Sequence, residues 1–517
     1  MATTLCVVFM LVASLHAGEG DLRFASYYGD HMVLQKSPER AVLWGRGPEG
    51  AQVTLTLSGP STQNVSVCTV KNGIWRVALD PVEAGGPYNV TAAAPSGAAT
   101  LTDVLFGDIW LCGGQSNMWL QLSKIFNASK ELKRSAKYPH VRIFMAALNL
   151  SETERTDLIQ VEIPWSVPPA NVAQFSAVCW LFGRYLYKRL QYPIGLVESC
   201  WGGTPVEVWS SSRALQRCGL YHTNSKVHQS FPYTYCKDCS LFSSGPKENS
   251  VLWNAMIHPL LNMTVKGAIW YQGEANSGYH QENYNCSFPA MIDDWRLAFH
   301  QGSGGQTAPD FPFGFVQLST YQKGSKNDAF PNIRWHQTAD NGFVPNSRMW
   351  KTFMAVALDL PDAASPYGSI HPRDKQDVAR RLTLGARAVA YNEKRVSFEG
   401  PFPKELSVSA PMSVNITYDQ KVSVTPSRSI FEIFCSGVQT PYGPEPRWVA
   451  APIMHWGPAT VQLSTSSCPL PHAVAAVRYA WRDWPCSFKA CAIYSASGVL
   501  PAPPFDLPLS SRRKPGT

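Results

Sequence analysis

Four short segments, spaced along a chain of 517 residues, carry the residue types of acyl-transfer chemistry. The first is Gly113-Gly114-Gln115-Ser116-Asn117-Met118, directly after the apolar run 104–111. A serine leaving a buried strand among glycines and polar residues is where a hydrolase would hold its nucleophile. The second, Cys200-Trp201-Gly202-Gly203-Thr204-Pro205, follows the run 194–198, and Gly203 there can present a backbone N–H with no side chain in a ligand's way. In the third, Tyr271-Gln272-Gly273-Glu274-Ala275-Asn276, Gln272 offers a side-chain amide. The fourth, Ser369-Ile370-His371-Pro372-Arg373-Asp374, supplies an imidazole, and Pro372 is suited to open a helix with His371 at its entrance. Ester cleavage needs a hydroxyl, a base for its proton and donors for the developing oxyanion. Ser116, His371, Gly203 and Gln272 match those needs. Each residue alone has a plainer role: Ser116 as a helix N-cap, His371 as a satisfied histidine, Gly202-Gly203 as a turn, Gln272 and Glu274 as loop residues bonding to backbone. Four strand-to-loop junctions each carrying a different required part favour catalysis.

The segments that must position these residues read as α/β. Strands are predicted at 104–111, 194–199, 266–271, 312–318 and 352–359, and helices at 179–187 and 373–391. In the last helix Val378, Leu382, Ala386 and Val389 share one face. Strands alternating with helices give a parallel sheet, whose functional residues gather beyond the strands' carboxyl ends. Residues 21–103 and 396–505 instead show short alternating runs, which predict β-domains on either side of an α/β core at 104–395. A cysteine-containing stretch at 217–249 reads as a loop insertion, and 506–517 as a tail.

Composition narrows the function classes. Lys and Arg total 45 against 37 Asp and Glu, a net charge of +8 spread along the chain, with no basic stripe for a nucleic acid. Residues 1–20 read as a secretory signal, and no later run is long and apolar enough to span a bilayer. Thirteen cysteines less Cys6 leave twelve, an even number compatible with disulfides. Sequons begin at Asn64, Asn89, Asn127, Asn149, Asn262, Asn285 and Asn415. Together these features predict a secreted or lysosomal glycoprotein. Cys236 and Cys239 near His222 and His228 raise a zinc site, but there is no second closely spaced cysteine pair, and the expectation is no metal. Trp119, Trp201, Trp270 and Tyr271 are candidates to stack on a sugar, with core packing as the plainer role.

The four segments, with Phe24-Ala25-Ser26, Leu181-Phe182-Gly183-Arg184 and Trp335-His336-Gln337-Thr338-Ala339-Asp340, resemble the sialate O-acetylesterase family within the SGNH-type (GDSL-like) esterases. The resemblance spans most of the chain after residue 20. It implies an SGNH-type parallel-sheet core, hydrolysis of O-acetyl esters of free or glycan-linked sialic acid, notably at the 9-position, and no cofactor. It implies Ser116 as nucleophile, His371 as base and then acid, and an oxyanion hole of the Ser116 and Gly203 backbone N–H groups with the Gln272 amide. It also makes a leaderless cytosolic form plausible. Many relatives of this type carry Asp three residues before the histidine, where this chain has Gly368. Asp374, Glu274, Asp359 or a backbone carbonyl is then left to orient His371, or Ser116 and His371 act as a dyad. Arg373 is the nearest candidate for a sialic carboxylate. An acetylesterase for another sugar, and a non-catalytic glycan-binding protein, are the rival readings.

Overall fold

The computed structural model describes residues 21–60, 63–220, 245–409, 412–436, 446–468 and 473–509. Its centre is a parallel sheet built from β1 (Gly97–Gly114), β2 (Val141–Ala146), β4 (Ile194–Cys200), β5 (Gly267–Tyr271), β6 (Phe313–Gln317) and β7 (Thr352–Val356), with β3 (Val161–Ser166) as an antiparallel edge. The spatial order is β3-β2-β4-β1-β5-β6-β7. Every residue of β2, β4, β5, β6 and β7 is buried, as expected for strands covered on both faces. Helix α1 (Ser116–Trp119) leaves β1, α2 (Ala177–Leu190) leads into β4, α3 (Tyr284–Gly302) follows β5, α4 (Ala329–His336) follows β6 and α5 (Lys375–Val389) follows β7.

The order reverses at β1. From β1 the chain places β2 and then the edge strand β3 on one side and returns to β4 beside β1, then crosses to β5 and continues outward through β6 and β7 on the other. Such a switch point opens a crevice beyond the strand ends. Here the opening is sharply defined, because Gly114 is paired with Cys200 on one side and with Tyr271 on the other. The three central strands therefore end level with one another.

The predicted boundary at residue 103 falls inside one continuous strand. The first part of β1 pairs with Gly85–Ala94, itself paired with Gln52–Ser58, while its last seven residues pair with β4. Asp103 sits at φ 51° where the register of the Gly85–Ala94 ladder shifts, between Leu101 and Val104, its carboxylate accepting from Arg142 at 2.9 Å and from the His31 ring at 2.8 Å. That left-handed residue marks the shift of register within the ladder.

After α5 the chain forms two four-stranded sheets and a two-stranded one, beginning with Pro403–Ser409. They are joined to the core by buried polar contacts. Arg334, on α4 and fully buried, donates to the carbonyls of Leu318 and Ser319 in the core and of Arg482 and Asp483 in the C-terminal unit, at 2.6–2.9 Å. Asp359, after β7, pairs with Arg381 at 2.6 and 2.8 Å and accepts from the C-terminal Tyr494 at 3.0 Å.

All five predicted core strands and both helices are present, with ends shifted by a few residues. β2 was missed because Arg142 interrupts its apolar run; its guanidinium is neutralised locally by Asp103 and two carbonyls. α3 was missed because Pro289 lies inside it, where proline normally breaks a helix. Disulfides link Cys112–Cys179, Cys218–Cys286, Cys435–Cys468 and Cys486–Cys491, while Cys68 and Cys200 carry free thiols. The signal at 1–20, residues 510–517 of the expected tail and residues 221–244, with the cysteine pair raised for zinc, lie outside the described residues, whereas the start of that tail instead belongs to a strand, Phe505–Pro508, paired with Ala473–Tyr479 in the C-terminal unit. No helix among the described residues is long and apolar enough to cross a membrane.

Arg334 satisfies four carbonyls from two units, so Arg334→Ala should cost about 3 kcal/mol or more by leaving them unpaired in the interior. Thermal unfolding by circular dichroism checks this, and an unchanged midpoint contradicts it.

Candidate active site

Gly114 ends β1 at φ 138°, and a Cβ there would lie 2.2 Å from the carbonyl oxygen of Tyr271. Only glycine allows the neighbouring strand ends to approach this closely. The next amide, Gln115 N–H, donates to that same carbonyl at 3.0 Å, and Trp201 N–H donates to the Gly114 carbonyl at 3.1 Å. The Gln115 side-chain oxygen accepts the N–H groups of Gly273 and Ala275 at 3.3 and 3.2 Å. Gln115 is the N-cap of α1, so Ser116 is its first helical residue and not its cap. Ser176 caps α2 and donates from its hydroxyl to the Met118 carbonyl at 2.6 Å, fixing the far end of α1.

Gly203 stands in the turn after β4 at φ 70°. Among the described residues, neither its N–H nor that of Ser116 has an acceptor, which leaves two donors at one sheet edge. The turn is held by Thr204, whose hydroxyl donates to the Trp201 carbonyl at 2.7 Å and accepts from the Trp209 indole at 2.9 Å.

Gln272 differs from expectation. It is fully buried, and its amide nitrogen donates to the Thr204 carbonyl at 3.1 Å and to Asn276 Oδ1 at 2.7 Å, while its oxygen accepts the Tyr284 hydroxyl at 2.9 Å. Both amide hydrogens are engaged in holding the Gly203 turn.

His371 is 7% exposed, and its Nδ1 lies 2.7 Å from the Tyr367 carbonyl. A carbonyl only accepts, so Nδ1 carries the proton and Nε2 keeps its lone pair. A backbone carbonyl thus occupies the orienting role. The candidate acids point elsewhere: Asp374 accepts from Asp377 N–H as the cap of α5 and pairs with Lys489 at 3.1 Å, Glu274 accepts from Asn117, and Asp359 pairs with Arg381. The helix starts at Lys375, three residues after Pro372, so His371 precedes the helix entrance and does not form its first turn. Arg373 is also engaged, gripping Asp362 at 2.7 and 3.0 Å above the Phe126 ring. Trp270 and Tyr271 are fully buried, and Trp270 packs edge-on against Trp209 and Trp295, so neither can meet a sugar.

Residues 106–353 match the family model described as carbohydrate esterase, sialic acid-specific acetylesterase, and residues 405–508 match the sialate O-acetylesterase C-terminal domain. The chain is 50% identical over 98% of both chains to the sialate O-acetylesterase of Mus musculus, and 49% identical to that of Homo sapiens over 97% of this chain and 95% of the relative. The chain belongs to the sialate O-acetylesterase family. A crystal structure of a carbohydrate acetylesterase from Xanthomonas citri superposes with a TM-score of 0.75 at 26% identity, covering 94% of this chain and 99% of that one. The SGNH-like architecture expected from the sequence is therefore the fold.

In this sialate O-acetylesterase family member a buried polar network that sequence reasoning missed ties the two candidate catalytic residues together. Asn117, next to Ser116, donates to the Ile370 carbonyl, next to His371, at 2.8 Å and to Glu274 Oε1 at 2.6 Å. Its own oxygen accepts from Lys375 Nζ at 2.7 Å. Lys375 is fully buried, its ammonium 5.0 Å from the centre of the Tyr271 ring, and burial pushes its pKa down to about 7. Burial likewise raises the pKa of Glu274. A signal for Lys375 was present: it precedes Val378 by three positions and Leu382 by seven, a lysine on the apolar stripe of α5.

Two outcomes follow for catalysis. Burial, with the nearby Lys375 charge, holds the His371 pKa below its ordinary 6.5. A base works when neutral, and a lower pKa keeps it neutral at lower pH. The acid limb of kcat/KM should therefore have its midpoint below 6.5 and be flat at neutrality, and Lys375→Met should move that midpoint upward; pH–rate profiles of both proteins measure this. Asn117→Ala removes the bridge between the nucleophile and base loops, and should lower kcat about 10–10² fold with little change in KM, since small misplacements of reacting groups carry costs of this size. Steady-state kinetics on a small acetyl ester decide it, and an unaltered kcat removes Asn117 from the positioning role.

Proposed function

We propose that this chain hydrolyses O-acetyl esters of sialic acids, notably at the 9-position, through an acetyl-enzyme. What supports the chemistry is that the segments carrying Ser116, Gly203 and His371 are tied to one another: Gly114 pairs with Cys200, Trp201 N–H donates to the Gly114 carbonyl, Asn117 donates to the Ile370 carbonyl, and His371 Nδ1 rests on the Tyr367 carbonyl. The sialate preference rests on the names of relatives sharing about half of the sequence along its length.

Ser116 Oγ attacks the acetyl carbonyl as His371 Nε2 takes its proton. The N–H groups of Ser116 and Gly203 receive the oxyanion, with Gln272 holding the Gly203 turn through Thr204. Collapse of the tetrahedral intermediate expels the sugar oxygen, which takes the proton back from His371. Water then gives a proton to His371 and attacks the acetyl-serine, and release of acetate restores the serine hydroxyl. For Gln272 to donate to the oxyanion directly, it would have to let go of Thr204 or Asn276.

The site's place in the cell follows from the disulfides and sequons. Four disulfides among the described residues fit an oxidising compartment, and we assign the chain to the secretory pathway, as a lysosomal or secreted protein. A second reading, an acetylesterase for another carbohydrate, is favoured by the similarity to the Xanthomonas citri enzyme and would use the same groups.

Acetate release from 9-O-acetylated sialic acid, with acetylated xylose oligomers as comparison, separates the readings. The expected result is turnover of the sialate ester and a loss of at least ~10³-fold in Ser116→Ala. Equal activity in the mutant would remove Ser116 from the mechanism, and cleavage of the xylose esters alone would move the substrate to the second reading.

A further inference from the structure

The acetyl group and the ring that carries it need only the crevice at Ser116, yet a groove lies beside the loop that carries His371. Two open cavities, of ≈ 530 and ≈ 390 Å³, share Gly324 and Ser325 as a common wall. One end is lined by Ser369, two residues before His371, and by Tyr321 and Trp484; the other reaches Lys326 and Arg482. One side is the loop after β6 and the other is the C-terminal unit, so the groove exists only because the two are joined.

Its walls are fixed. The Asp483 carboxylate accepts the N–H groups of Tyr321 and Gln322 at 2.7 and 2.9 Å, and the Ser369 hydroxyl donates to the Tyr321 carbonyl at 2.7 Å. Arg334 anchors the carbonyls of Arg482 and Asp483 from beneath. The base loop, the β6 loop and the C-terminal unit are thereby locked around one cleft. Tyr321 is 37% exposed and Trp484 half-buried, so aromatic surface faces the groove beside the hydroxyl of Ser369 and the amide of Gln322. Flat aromatic faces with a polar rim match a pyranose, whose C–H face is apolar and whose edge is ringed with hydroxyls. Trp270 and Tyr271 are buried in the core and cannot serve.

We infer that this groove binds the neutral sugars to which a sialic acid is linked, making glycan-bound esters better substrates than the free monosaccharide. The inference rests on the sialate reading above. It needs only binding, and no further chemical step.

The test compares kcat/KM of the full chain on 9-O-acetylated N-acetylneuraminic acid and on 9-O-acetylated sialyl-lactose, for wild type, Trp484→Ala, Trp484→Phe and Tyr321→Ala. The expected result is a wild-type ratio that favours the trisaccharide and falls roughly tenfold in Trp484→Ala through a raised trisaccharide KM, with Trp484→Phe recovering most of it. Tyr321→Ala should lower the ratio in the same direction, which keeps the test alive if Trp484→Ala does not fold. A ratio that none of the folded variants moves, or equal losses on both substrates, overturns the groove while leaving the sialate reading intact. Wild type inactive on both esters overturns the sialate reading and this inference with it.

Discussion

The close approach of three strand ends at Gly114 is the constraint on which the rest of the site depends. With a Cβ excluded by the Tyr271 carbonyl, β1 can lie level with β4 on one side and β5 on the other. The chain that follows then turns at Gln115 into the short helix begun by Ser116 beyond the strand ends. Everything placed nearby is measured from that point: Gln115 takes the amides of the β5 loop, Trp201 bonds back to Gly114, and the Gly203 turn hangs from Thr204 and Gln272. The helix begun by Ser116 is only one turn long, too short to hold itself in water. It persists because both ends are bonded to neighbouring segments.

The His371 site replaces an acid with an arrangement of neutral dipoles and one buried cation. A carbonyl on Nδ1 selects the tautomer as well as a carboxylate does, but brings only a partial negative charge to the imidazolium that forms during reaction. Lys375 opposes that imidazolium from the other direction. The balance favours a neutral imidazole at rest. Asn117 gives the arrangement its rigidity, since one carboxamide bonds the His371 loop, Glu274 and Lys375 together and adjoins Ser116 in the chain.

Much of this was legible in the sequence, and the failures have physical causes. Strands such as Ile194–Cys200 and Phe313–Gln317 declare themselves because both faces are buried and the residues are apolar throughout. Gly203 was readable as a point where backbone must be bare, whereas the close approach at Gly114 emerges only from the pairing of three strand ends. What could not be read were polar groups whose role is to satisfy one another in the interior. Asn117, Lys375 and Arg142 look like surface residues in a one-dimensional pattern, and only tertiary pairing makes their burial tolerable. Gln272 was read as facing the substrate because nothing in the sequence reveals that Asn276, four residues on, and Tyr284 claim its amide first. The orienting group of His371 was hidden for a related reason: a main-chain oxygen leaves no trace in residue identity.

Arg334 joins the core to the C-terminal unit through carbonyl oxygens alone, and carbonyls do not titrate. Burial lowers the guanidinium's pKa only to about 10, so it stays charged throughout the acidic range. Joints made of carboxylate pairs loosen as their acids take up protons. This joint keeps both its charge and its acceptors as the surrounding medium acidifies, so it adds no protonation-driven weakness of its own to the seam between the two units.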